Sequence, residues 1–142
     1  MRAGAVLAHL AELETALAAE LRRAAERHRA EHDVHHQCLT FAVAAEKRAD
    51  ALGPHAERYG GGSGWTSAVG GASDDLLEDL RALHLRCHEV ETTWTIVVQA
   101  AKAARDGQLL SLATELQEQS HWEAGWFTTR LKTGAPQALV GR

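Results

Sequence analysis

Carboxylates and imidazoles recur along this chain at spacings that matter for chemistry. Glu118-Gln119-Ser120-His121 sets a carboxylate and an imidazole three residues apart, on one face wherever the segment is helical. His84, His88 and Glu91 follow one another at offsets of four and three, which holds them on a single strip of helix surface. Glu14 and Glu46 stand as single carboxylates in two other segments. Both side-chain types are common ligands of transition metals, so the chemistry on offer is metal ligation, provided several segments meet. Nucleophilic chemistry has less behind it. There is no Gly-x-Ser-x-Gly elbow, and the adjacent Cys87 and His88 would point about 100° apart on a helix. Haem attachment through Cys-x-x-Cys-His is also absent.

The elements that must position these residues are helices. Leu76, Leu80, Leu83, Cys87, Val90, Trp94, Val97 and Ala101 recur three and four apart and predict a long helix over 74–105. Val6, Leu10, Leu13, Leu17, Leu21 and Ala24 predict another over 5–28. Glu14 falls four after Leu10 and three before Leu17, at the edge of the buried face. A second apolar phase, Val34, Cys38, Phe41, Ala45, Ala49 and Leu52, predicts a helix over 33–52, opened by Asp33 and stopped by Gly53-Pro54. Leu109, Ala113, Leu116, Ser120, Ala124, Phe127 and Leu131 mark the last, over 108–132, ended by Gly134-Ala135-Pro136. The glycine-rich stretch 60–71 reads as a loop; no Gly-Lys-Ser/Thr follows it, so it is not a phosphate cradle. Short first and third connections predict one all-α domain over 1–142, an antiparallel up-down-up-down four-helix bundle.

Composition narrows the function classes. A formal charge of -4 with no basic tract argues against nucleic acid, whose affinity comes from Lys and Arg on phosphates. Two cysteines, each on an apolar helix face, read as free core thiols and point to a reducing, cytoplasmic setting. No apolar run reaches membrane-spanning length.

With both short turns taken to lie at one end, counting about fourteen residues away from them reaches Glu14, Glu46 or Lys47, Glu91 and His121, with Glu118 and His88 within a turn. The Glu118-x-x-His121 step resembles that in the fourth helix of ferritin-like di-metal proteins. Glu14 and Glu91 are similar to that family's single carboxylates, and Glu46 stands on the second helix with Ala49 in the place of its histidine. The resemblance implies a ferritin-like bundle, a transition metal (Fe, Zn, Mn or Cu) held by Glu14, Glu46, Glu91, Glu118 and His121, and ferroxidase-like activity as the last-ranked function. His84-x-x-x-His88 is similar to the paired histidines of hemerythrin-like proteins. A different reading follows from Trp122 and Trp126, which with Leu112 and Gln119 form a second stripe on helix four. They are expected either to wedge between helices or to form the face of a homo-oligomer in a non-catalytic interaction module.

Overall fold

The three-and-four spacing of apolar residues produces four helices in the computed structural model, which describes residues 3–62 and 75–140. They are α1 (Ala3–Arg27), α2 (His32–Arg58), α3 (Leu76–Ala103) and α4 (Gly107–Leu139). Each buries the stripe expected of it: Leu10, Leu17 and Leu21 from α1, Cys38, Phe41 and Leu52 from α2, Val90 and Trp94 from α3, Ala113 and Phe127 from α4. The product is an all-helical four-helix bundle. No helix among the described residues is long and apolar enough to cross a membrane.

Helix ends follow capping chemistry more closely than composition. Asp75 and Asp106 open α3 and α4 by accepting from the backbone N–H of Glu78 and Leu109 at 2.9 and 3.1 Å. The predicted stops at Gly53-Pro54 and Gly134-Ala135-Pro136 do not operate, and α2 and α4 run on to Arg58 and Leu139. Each proline costs its helix one N–H bond near the end, where little of the helix remains to be lost. The left-handed cap expected at Gly53 is formed instead by Gly60, at φ 82°. There the N–H of Gly61 donates to Ala56 and that of Gly60 to Glu57, the paired bonds of a Schellman ending. Asp33 caps nothing; Glu31 holds the cap position of α2, and Asp33 accepts from Arg130 on α4 at 2.8 Å.

Side-chain pairs give the helix directions. α1 and α3 are joined by Arg27 with Asp79, Arg86 with Glu20 and Trp94 with Glu14, so they run oppositely. α2 and α4 are joined by Arg130 with Asp33 and Arg58 with Asp106, and they too run oppositely. α1 is likewise antiparallel to α2 through Arg22 with Glu46 and His35 with the Ala25 carbonyl. The order is therefore up-down-down-up, not the expected up-down-up-down, and α2 lies parallel to α3. The two short turns sit at opposite ends of the bundle, not at one. The reason lies in the connection: α2 ends at the pole where Gly62 touches Ala5, while α3 begins at the pole of Arg27 and Asp79.

Packing is uneven. The pairs α1/α2 and α3/α4 are closely apposed, α1 and α3 close the inner seam, and α2 and α4 barely approach each other by backbone. Long side chains bridge that last seam.

Candidate functional site

At mid-height hydrogen-bonding side chains, one from each helix, meet in the interior. Glu14 comes from α1, Arg48 from α2, Trp94 from α3 and Glu123 from α4, with relative exposures of 0%, 1%, 0% and 3%. The sequence places them there through phase. Arg48 continues the 38, 41, 45 progression of α2 and precedes Leu52 by four, and Glu123 stands three after Ser120 and four before Phe127. The Arg48 guanidinium donates to both carboxylates: Nε and Nη2 to Glu14 at 2.7 and 2.9 Å, Nη1 and Nη2 to Glu123 at 2.7 and 2.9 Å. Trp94 Nε1 adds a donor to Glu14 Oε2 at 2.8 Å.

One cation thus faces two buried carboxylates. Burial works against the charge on Arg48, but the hydrogen bonds it donates to Glu123 and Glu14 outweigh it, and its pKa is raised. Burial pushes the Glu123 carboxyl up, and the hydrogen bond and charge of Arg48 only partly oppose this. Cys87 is raised well above the ordinary thiol value, first by burial and then by the nearby Glu123. Cys38 is pushed up to about 12 by burial, then by Asp79 and Asp33. Both thiols are buried, free and held as neutral core groups. Ser120, also buried, has an Oγ with no hydrogen-bond partner.

The five residues expected to ligate a metal do not meet. Glu14 lies in the interior, bound to Arg48 and Trp94. Glu46 is exposed and pairs with Arg22 at 2.5 Å. Glu91 and His121 do come together, at 2.5 Å, but on the α3/α4 shoulder, where His121 is 79% exposed. Glu118 is exposed. Among the described residues no group of three or more His, Cys, Asp or Glu is arranged to hold a metal ion. The interior also fails a test of fit to the di-metal centre that the resemblance implies. Its donor set holds no imidazole, and both carboxylates are already engaged by the cationic guanidinium of Arg48. Sequence reasoning missed Arg48 and Glu123; the signal was a charged residue in phase with an apolar stripe.

On the shoulder His88 Nε2 lies 3.1 Å from His84 Nε2, which also meets Thr128 Oγ1 at 2.8 Å. The pKa of His84 is lowered by burial and then by His88. On the α2/α4 side Phe41 is the hub of an aromatic cluster, edge-on to Trp122 and Trp126 at 5.7 and 5.9 Å. Trp126 wedges partly between the helices, as one expectation had it, while Trp122 remains 60% exposed. Trp94, in the interior, bonds instead to Glu14. Beside Trp122 the open seam forms a groove of about 560 Å³ lined by Thr40, Val43, Ala44, Lys47, Ala51 and Gln119.

Neither a family model, nor a curated protein, nor a solved structure matches this chain.

Proposed function

We propose that this protein is a non-catalytic helical bundle of ferritin-like type that works as a homodimer, joined through its α2/α4 face. The observation that carries this is Trp122, an indole left 60% exposed beside the α2/α4 seam, where the two helices barely approach by backbone. The helix order supports the ferritin-like comparison, since up-down-down-up with a single long connection is the ferritin-like arrangement. An interior occupied by Arg48 between Glu14 and Glu123 supports a structural role over redox chemistry.

A second copy fits this face by charge and by shape. The pairs Asp33–Arg130 and Arg58–Asp106 set the relative heights of α2 and α4. Between them, Lys47 lies within about one turn of Glu118, and Val43 within about one turn of Trp122. A two-fold axis parallel to the helices sets α2 of one protomer against α4 of the other. Lys47 then opposes the partner's Glu118, and Trp122 covers the partner's Val43. Lys47 and Glu118 have no ion-pair partner of their own among the described residues, and Val43 is 44% exposed. α2 has 27 residues and is about 40 Å long, and two neighbouring helices are about 20 Å wide, so each protomer offers ~800 Å². That is the area a standard stable interface takes from each partner.

Light scattering tests the proposal. The wild-type chain should show twice its 15.4 kDa, and Trp122→Glu should return it to monomer with unchanged helical circular dichroism. A monomeric wild type, or a dimer indifferent to Trp122→Glu and to Lys47→Glu, would overturn it.

A further inference from the structure

Away from the interior and from the dimer face, one group of side chains is set more tightly than a solvated shoulder requires. His84 and His88 are one turn apart on α3, with ring centroids 4.5 Å apart, planes at 86° and Nε2 atoms 3.1 Å from each other. Thr128 donates its hydroxyl proton to the Ala124 carbonyl at 3.1 Å, so towards His84 Nε2 it stands as an acceptor. His88 turns its other nitrogen, Nδ1, to Glu91 Oε1 at 3.4 Å. The second oxygen of Glu91 is held by His121 Nδ1. A carboxylate facing Nδ1 favours the tautomer that carries the proton there, which leaves the Nε2 lone pair of His88 turned to His84.

We propose that His84 and His88 chelate a divalent transition-metal ion of the imidazole-preferring class, Zn(II), Ni(II) or Cu(II), through their two Nε2 atoms, with Glu91 orienting His88 from behind. Two nitrogens 3.1 Å apart subtend about 100° at an ion about 2.0–2.1 Å from each, close to the tetrahedral bite. A ligating histidine ordinarily donates its other N–H to a carboxylate, which fixes the ring and raises its basicity. Glu91 stands in that position for His88, and His121 in turn steadies Glu91. Binding requires His84 to carry its proton on Nδ1, so its hydrogen bond to Thr128 is exchanged for the bond to metal. Because no third His, Cys, Asp or Glu converges among the described residues, the protein supplies two donors and water completes the shell. The site is thus open and exchangeable, unlike a closed four-ligand structural centre.

Equilibrium dialysis of the full chain without a histidine tag, with Zn(II) as probe near neutral pH, tests this. The expected result is one ion per chain, bound at least tenfold more weakly by His88→Ala with the helical spectrum unchanged. Glu91→Gln keeps both ring nitrogens and should weaken binding about tenfold, as loss of a supporting carboxylate does. Absence of saturable uptake would overturn the proposal. So would uptake that survives in the His84→Ala/His88→Ala double variant, which would place the ion elsewhere in the chain. Neither result depends on whether the chain dimerises.

Discussion

In an Arg48→Met variant, Glu14 and Glu123 would stay 0% and 3% exposed in the native fold with no guanidinium between them. Removing one partner from a buried ion pair costs about 3–5 kcal/mol, because the remaining charge is left without compensation. Against a total stability on the order of 5–15 kcal/mol for a domain, that is a large fraction. It corresponds to a fall in Tm of roughly 6–20 °C at about 2–4 °C per kcal/mol. The pH dependence has a definite sign. Glu123 already has a raised pKa in the native protein; a group that binds its proton more tightly when folded gives its full stability below the unfolded value. That stability is lost as pH rises through the folded value. Without Arg48 the effect grows, so the deficit of Arg48→Met should be smaller near pH 5 than near pH 7.5. Urea melts followed by circular dichroism at both pH values measure it. A companion variant, Glu14→Gln/Arg48→Met/Glu123→Leu, keeps an acceptor for Trp94 and removes every charge of this network. It should recover most of the loss, since apolar replacements of a whole buried charge network are often neutral or stabilising. A deficit for Arg48→Met under about 1 kcal/mol, or one that grows on acidification, would refute the reasoning.

Other outcomes follow from the same geometry. A methyl group at Gly4 would overlap the carbonyl oxygens of Tyr59 and Gly61. Since backbone cannot step aside cheaply, Gly4→Ala should cost about 1–3 kcal/mol in a denaturant melt; no loss would show that α1 and the end of α2 are less closely apposed. Cys38 and Cys87 should resist a thiol reagent in native buffer and react fully in urea, because both are buried and held protonated. Rapid native labelling would contradict their placement.

Much of the architecture is legible in the residues themselves. The stripes through Leu10–Leu21, Leu80–Ala101 and Leu109–Phe127 lie where the three-and-four spacing puts them, as do both buried cysteines. The directions were not legible, because they depend on which pole α3 starts from, and the glycine-rich segment between Gly62 and Asp75 carries no pattern that says. Height along the bundle was nearly right for Glu14, since a residue near mid-helix stays near mid-height whichever way its neighbours run. Azimuth was what failed. Glu46 and Arg48 are two residues apart and so about 160° apart around α2, which puts one on the surface with Arg22 and the other in the core. Arg48 was readable in principle from the 38, 41, 45, 48, 52 progression.

The sequence by itself determined that there would be four helices and which stripe each would bury, because periodicity is a local property of a chain driven to hide apolar surface. It also placed polar residues on those stripes. Only the tertiary structure decided that a guanidinium from α2 would stand between the interior carboxylates of α1 and α4. The choice of partner for a buried charge is made by whichever helix arrives opposite it, and that depends on packing between segments far apart in sequence.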